Sequence, residues 1–358
     1  MSRQTTIYRG WAIALCLAGF ALLIWYSESK FPSPEFGVRA SASGFSRDSG
    51  ASVADDDLTV DLVIVFTAWK RATLAEYFSY LERQDIFINR GPRFRVHVIV
   101  FQNGRHLDVS GIVAEWGAPR KWGVRDVLVT HVHSALATGY FGRFLAPLLS
   151  NVRKDSYWLV ADDDVIWGAH YITNMLRVVD EGRLAVRVGR FVYSDGPQWQ
   201  EHAGSTYRGV RGVFVTFEED LLYDFGGQLW AGRIDWLQKA WAHPPATLVT
   251  AEDFWISAVL SSFYGISTAR PRCPASDVEA CACSMKVAGI HVEIELGNQT
   301  GGEEARNAAI TVHAVATEYR PLGDNALAHE RAAYSFSSAG ERNWNLSDTA
   351  FSECLSFM

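Results

Sequence analysis

Three adjacent carboxylates, Asp162, Asp163 and Asp164, are the residues of this 358-residue chain whose type and spacing point most directly to chemistry. They follow the apolar segment YWLVA at residues 157–161, which is typical of a buried strand. In open α/β sheets, ligands bind outside the carboxyl ends of the strands. Like charges crowded at such a point repel each other until a cation or a proton relieves them. Carboxylate oxygens suit Mg²⁺ or Mn²⁺. The triplet therefore predicts a metal site that binds the diphosphate of a nucleotide.

The spacing of the three aspartates predicts a different role for each of them. The first and third residues of an extended segment point to the same side. We expect Asp164 to bind the metal and Asp162 to face the ribose or the water shell of the metal, whereas Asp163 is only a neighbour. The alternative is an acidic loop after a strand. A second triplet, at residues 55–57, has no buried strand before it and is interpreted as a solvated acidic patch.

A second acidic motif, Glu252-Asp253, begins a predicted helix. Transfer to an acceptor hydroxyl with inversion requires a general base, and a helix N-terminus stabilises the carboxylate of Asp253. The alternative is ordinary acidic charge at a helix start. His131 and His133 could also bind a metal, but no third ligand can be named. His291 and His313 are interpreted as structural, and the alternative is that one of them is an additional metal ligand. The sequence contains no G-x-S-x-G elbow, no P-loop and no H-E-x-x-H motif.

Strands and helices must alternate to position these motifs. The hydrophobic pattern predicts strands at 58–66, 94–101, 127–130, 157–161 and 184–193, and helices at 71–84, 142–151 and 170–180. This alternation indicates an α/β, Rossmann-like fold with a mainly parallel sheet, in one catalytic domain over residues 58–358.

The composition is that of a globular protein, with 48% hydrophobic and 20% charged residues. The formal net charge is −7 and no basic stripe is present, so no nucleic-acid partner is expected. An acidic protein can still bind an anionic ligand where a divalent cation supplies positive charge.

The N-terminal segment at residues 11–26 is apolar and uncharged, and Arg3 and Arg9 precede it. It predicts a cytoplasmic tail (1–10), a transmembrane signal anchor (11–26) and a flexible Ser- and Gly-rich stem (27–57). The alternative is a cleaved signal peptide. The expected localisation is a single-pass type II membrane protein of the Golgi or endoplasmic reticulum, with a lumenal catalytic domain.

Cysteines and sequons fit that compartment. Apart from Cys16 in the predicted anchor, four cysteines remain: Cys273, Cys281, Cys283 and Cys354. One or two disulfides are expected, and the three full pairings stay open. A zinc site at Cys281 and Cys283 is disfavoured because no partner pair or His cluster accompanies them. Sequons occur at Asn298 and Asn345.

The order of several motifs resembles GT-A fold glycosyltransferases, in particular the exostosin-like group and related family 2 enzymes. The resemblance extends over about residues 60 to 270, with a weaker match at His329-Glu-Arg331. Its motifs, besides the acidic triplet, are TAWKR at 67–71, QNG at 102–104, GRF at 142–144, VGRF at 188–191, DFGGQLW at 224–230 and AEDFWIS at 251–257.

The resemblance implies roles for residues at matching positions. The nucleobase and ribose would contact the backbone near Thr67 and the side chains of Arg71 and Asn103, and the nucleotide would also contact Arg143. The diphosphate would be approached by Arg331.

The remaining implied roles concern the metal and the acceptor. Asp162 and Asp164 would bind ribose and metal, and Asp253 or Glu252 would face the acceptor hydroxyl. Asp224 and Trp230 would lie in an acceptor-side loop.

The expected function is metal-dependent transfer of a hexosyl or N-acetylhexosaminyl group from a nucleotide-sugar donor, a UDP-sugar, to a glycan or glycoprotein acceptor. The expected cofactor is Mn²⁺ or Mg²⁺. One alternative is a non-catalytic nucleotide- or glycan-binding protein with a degenerate GT-A fold. Another is a nucleotidyltransferase that shares the α/β core. Inversion or retention and homodimer formation are left open.

Overall fold

The computed structural model describes residues 59–68, 73–91, 94–103, 107–118, 121–123, 125–134, 139–195, 198–203, 217–284 and 302–322. Its strands are β1 (Val60–Ala68), β2 (Val96–Asn103), β3 (Val127–Ser134), β4 (Val152–Ala161), β5 (Val165–Trp167), β6 (Leu184–Asp195), β7 (Gln198–Ala203), β8 (Leu221–Tyr223), β9 (Phe225–Arg233), β10 (Thr268–Arg270) and β11 (Ala282–Ser284). Its α-helices are α1 (Leu74–Glu82), α2 (Ile86–Asn89), α3 (Ser110–Trp116), α4 (Tyr171–Asp180), α5 (Ile234–Trp241), α6 (Glu252–Tyr264) and α7 (Gly302–Thr317).

One large sheet forms the centre of the described part of the chain. Its strand order is β3-β2-β1-β4-β9-β6-β10-β8, and β7 pairs with β6 outside this path. β1 is parallel to β2 and β4, and β2 is parallel to β3. β9 runs antiparallel between β4 and β6, so β6 and its parallel neighbour β10 share the direction of β1. Most strands of this sheet therefore run the same way, which confirms the predicted α/β, Rossmann-like architecture at this level.

The central strands form because their sequences are nearly continuous apolar runs. Residues 62–66 of β1 and 158–161 of β4 are at most 1% exposed. Strands buried on both faces need such runs, because helices cover the sheet on either side. The predicted strands at 58–66 and 157–161 correspond to β1 and to the second half of β4.

Two predictions of local structure are wrong. The segment predicted as a helix at 142–151 instead forms two short 3₁₀ turns, Gly142–Phe144 and Ala146–Leu149, and then enters β4. Pro147 lies inside the segment, and its missing N–H and fixed ring interrupt the hydrogen bonds of a longer helix. The predicted acceptor-side loop at 224–230 is largely β9, which inserts between β4 and β6.

A small second sheet contains the strand that comes after the acidic triplet in sequence. β5 follows the triplet directly and pairs antiparallel with β11. A disulfide joins Cys273 to Cys281, the residue that precedes β11. This pair is one of those that the sequence left open.

No helix within the described ranges is long and apolar enough to cross a membrane. The longest, α7, has 16 residues, whereas a membrane span takes about 20 apolar residues. This finding contradicts the predicted single-pass membrane localisation. The predicted tail, anchor and stem at residues 1–57 lie outside the described residues.

Candidate functional site at the carboxyl edge of the sheet

The carboxyl ends of β1, β2 and β4 lie at one edge of the sheet, because these strands are parallel neighbours. This edge collects Thr67 from β1, Asn103 from β2 and Asp162 after β4. The hydroxyl oxygen of Thr67 is buried and has no hydrogen-bond partner among the described residues. The amide nitrogen of Asn103 donates to the carbonyl of Gly139 at 3.0 Å. The three predicted positions are thus brought together.

The backbone of the acidic triplet is fixed by the first helix. The Tyr77 hydroxyl donates to the carbonyl of Asp162 and accepts from the N–H of Val165 at 2.7 Å. The Thr73 hydroxyl donates to the carbonyl of Asp163 at 3.0 Å. Burial, followed by the charge of Asp164, raises the pKa of Tyr77 well above its ordinary value, so the phenol keeps its proton as a donor. These bonds occupy main-chain atoms and leave the carboxylates to other partners.

Arg143 links the two acidic motifs. One end of its guanidinium donates to Oδ1 of Asp162, and the other donates to Oε1 of Glu252 at 2.6 Å. The side chain is only 7% exposed and lies over the ring of Trp230, 4.6 Å from its centroid. The predicted nucleotide contact Arg143 is therefore occupied by carboxylates of the protein.

The acids linked by Arg143 titrate abnormally. Burial raises the pKa of Asp162 to about 7, against the opposing charge of Arg143, and the neighbouring Asp164 adds to the rise. Burial and then the charge of Asp253 raise the pKa of Glu252. Buried carboxyls close to one another are favoured in part as neutral groups, and such perturbed pKa values are frequent at functional sites.

The start of α6 carries the candidate base. Asp253 is 4% exposed, and its Oδ2 accepts from Arg306 of α7 at 2.6 Å. Burial acts to raise the pKa of Asp253, but the charges of Arg306 and Arg190 outweigh it, so its pKa lies below the ordinary value. Asp253 is therefore ionised at neutral pH, as a base that accepts a proton must be.

Arg306 is a site residue that the sequence analysis missed. It lies in an Ala-rich helix within the region after residue 270 where the family resemblance fades. Its position depends on the packing of α7 against α6, and no local sequence motif predicts that packing. The only signal in the sequence is that Arg306 is the one Lys or Arg residue of this helix.

The two predicted acceptor-side residues are buried. Asp224 is 2% exposed and Trp230 is 1% exposed. The carboxylate of Asp224 accepts from the Tyr319 hydroxyl at 2.7 Å and from the N–H groups of Leu322 and Val192, each at 2.8 Å. The indole N–H of Trp230 donates to Gly226 at 2.7 Å. These contacts give both side chains structural roles in joining the C-terminal segment and β9 to the core.

The remaining candidates divide into two groups. Arg71, His291, His329 and Arg331 lie outside the described residues, as do Cys354 and both sequons. His131 and His133 stack on the edge strand β3 with ring centroids 6.0 Å apart, and His313 is completely buried against Phe141. No group of three or more His, Cys, Asp or Glu in the described ranges is arranged to hold a metal.

The carboxylate oxygens of the triplet are suitable ligands for a hard divalent cation. Such oxygens are the ligands that Mg²⁺ and Mn²⁺ prefer, and the charges of Asp164 and Asp163 add to the raised pKa of Asp162 although Arg143 opposes the rise. Mg²⁺ is usually held by one or two carboxylates together with substrate phosphates, not by an all-protein cage. The residues present fit that mode.

No protein-family model matches the chain, and no curated protein resembles it in sequence. Among solved structures, it is similar to HddC from Yersinia pseudotuberculosis, with 8% identity and a TM-score of 0.31 over 49% of this chain and 78% of that chain. A likeness of this size carries no argument about function.

Proposed function

We propose that this protein is a glycosyltransferase of the GT-A type that transfers a hexosyl or N-acetylhexosaminyl group from a UDP-sugar to an acceptor hydroxyl. The observation that carries the proposal is the pair of acidic motifs joined through Arg143. Asp162 at the end of β4 and Glu252 at the start of α6 share one guanidinium. Asp162, the proposed donor-binding acid, is thereby linked to Glu252, which precedes the proposed base Asp253, at the edge of an α/β sheet where ligands bind.

Mn²⁺ or Mg²⁺ would be held by Asp164 and Asp162 together with the diphosphate of the donor. When bound, the cation neutralises the negative charge of the departing diphosphate. The chain supplies the fixed frame for it, because Tyr77, Thr73 and Gln228 hold the triplet backbone by hydrogen bonds.

Asp253 is the proposed general base. Its carboxylate takes the proton of the acceptor hydroxyl as the acceptor oxygen bonds to the anomeric carbon, and the bond from that carbon to the diphosphate oxygen breaks. Arg306 keeps Asp253 ionised and oriented. This route inverts the anomeric carbon, so the glycan or glycoprotein acceptor must approach opposite the diphosphate.

The purified full-length protein tests the proposal with UDP-sugars and Mn²⁺. We expect donor hydrolysis or transfer in the wild type and loss of UDP–Mn²⁺ binding by at least about tenfold in Asp164→Ala, since one charged ligand is worth more than 1.4 kcal/mol. Asp155→Ala is the matched control, because Asp155 is exposed and pairs with Arg153 away from the site. Equal UDP–Mn²⁺ binding by Asp164→Ala and wild type would exclude the site. NMR of the product tests the role of Asp253, which predicts inversion.

A second candidate is a binding protein without catalysis. It is favoured by Arg143, which neutralises Asp162 and Glu252 internally and so allows a nucleotide to bind without turnover. UDP binding with no transfer to any acceptor on a glycan array would support this candidate. Release of pyrophosphate from a nucleotide substrate would instead identify a nucleotidyltransferase.

A further inference from the structure

Arg187 lies at a bulge beside the acidic triplet. In the pairing of β6 with β9, Val186 is opposite Trp230 and Val188 is opposite Gly227, so two residues of β9 face Arg187 alone. One of the two, Gln228, has a φ of 67°, in the left-handed region that residues with a side chain rarely adopt. Bulges are frequent beside active sites because they redirect side chains.

The bulge ties Arg187 to the first carboxylate of the triplet. The carbonyl of Gln228 accepts from the N–H of Asp162 at 2.9 Å, while its side-chain oxygen accepts from the guanidinium of Arg187. A residue in an unfavourable conformation persists where the surrounding structure requires it. Here, the requirement is to hold Arg187 and the triplet in a fixed relation.

The charge of Arg187 is not balanced in the way that the other site arginines are. Arg143 and Arg306 each have a carboxylate oxygen at 2.6 Å. Arg187 forms no ion pair with any described carboxylate, and its Nε is shielded from solvent without a hydrogen-bond partner in the described ranges. Burial lowers its pKa, and Arg270 on the next strand lowers it further. The guanidinium of Arg187 is therefore a cation that no described carboxylate pairs with, and an anionic ligand could balance it.

We propose that Arg187 binds the diphosphate of the ligand at the carboxyl edge. The proposal rests on the proposed nucleotide-sugar site, because it assigns an anion-binding residue within it. A guanidinium donates parallel hydrogen bonds that match phosphate oxygens. Gln228 bonds both the guanidinium of Arg187 and the N–H of Asp162, so Arg187 and the triplet lie beside each other. A diphosphate there would meet Arg187 on one side and the carboxylate-bound cation on the other.

Inorganic pyrophosphate is the probe that tests this assignment without a donor sugar. Thermal unfolding of the full-length protein is followed with increasing pyrophosphate, once with Mn²⁺ and once with EDTA, because a ligand of the native state raises Tm by mass action. We expect Arg187→Gln to weaken pyrophosphate binding by at least about tenfold in both conditions, as for loss of a charge-assisted contact. Arg153→Gln is the matched control, since Arg153 is exposed beside Asp61 and Asp155.

The ligand-free proteins separate an anion-binding role from a structural one. Removing an uncompensated charge should leave the Tm of ligand-free Arg187→Gln equal to or above that of the wild type, because glutamine still reaches a polar partner at Gln228. A lower ligand-free Tm together with a wild-type response to pyrophosphate would overturn the proposal. If Arg187→Gln does not fold, Arg187→Lys must bind pyrophosphate more weakly than the wild type at an unchanged ligand-free Tm, and equal binding would overturn it.

Failure of this inference is distinguishable from failure of the proposed function. Pyrophosphate binding that depends on Arg187, in a protein that neither hydrolyses nor transfers any UDP-sugar, would support the anion site and reject glycosyl transfer. UDP-sugar turnover with pyrophosphate binding that does not depend on Arg187 would support the function and reject this residue.

Discussion

At the scale of single residues, Arg143 compensates two buried carboxylates at once. Breaking a buried ion pair by removing one partner is costly because the other charge stays buried and uncompensated. We expect Arg143→Met to lower the free energy of unfolding by about 3–5 kcal/mol, measured by urea denaturation at pH 7.5. Arg153→Met should cost less than about 1 kcal/mol, because its ion pairs are exposed.

A second substitution separates charge from packing in that result. If uncompensated charge is the cause, adding Glu252→Gln to Arg143→Met should restore part of the lost free energy, since one buried carboxylate is then neutral. Equal losses in the single and double variants would mean that the packing of Arg143 on Trp230, not charge, is responsible.

At the scale of elements, the sequence predicted those parts of the site that local patterns control. An apolar run of 157–161 ending in acids was sufficient to place Asp162 and Asp164 at the end of β4. The position of Glu252 and Asp253 at the start of α6 was likewise readable from the sequence. The insertion of β9 beside β4, the bulge at Gln228 and the pairing of Arg306 with Asp253 depend on contacts between segments far apart in the chain, so no local pattern could predict them.

The segment from Glu279 to Cys281, which packs on Gly168, yields a prediction at the same scale. A methyl group on Gly168, just after β5, would overlap the backbone of Glu279, on the segment that Cys281 and the disulfide hold in place. We expect Gly168→Ala to destabilise the protein by at least about 1–3 kcal/mol, as overpacking does. Gly111→Ala in α3 meets no atom within 4 Å and should stabilise the protein by up to about 1 kcal/mol. Urea denaturation compares the two variants, and equal effects would contradict the close packing of Gly168 on the Glu279 segment.

At the scale of the whole molecule, His97 sets part of the response of stability to pH. It lies in β2 and joins three elements, with Nε2 at 2.8 Å from the Thr130 hydroxyl and Nδ1 at 2.7 Å from the Ser150 hydroxyl. Burial lowers its pKa from 6.5 to about 4. The unfolded chain therefore binds a proton as pH falls below about 6.5, while the folded protein does not until about pH 4.

The lowered pKa of His97 makes the free energy of unfolding depend on pH in a direction that can be measured. His97 contributes its full stability above pH 6.5 and loses it as pH falls toward 4, which amounts to about 2 kcal/mol between pH 7.5 and pH 5. We expect the free energy of unfolding to fall by about 2 kcal/mol less in His97→Gln than in the wild type over this interval, measured by urea denaturation at both pH values.

His170→Gln is the control, because the contribution of His170 to stability depends on pH with the opposite sign. The pKa of His170 is raised, against the effect of partial burial, by its contact with Asp277, so its stabilisation is present at low pH and is lost as pH rises. Replacing His170 should therefore not reduce the fall in the free energy of unfolding between pH 7.5 and pH 5. Equal pH responses of wild type and His97→Gln would show that His97 is not the group responsible.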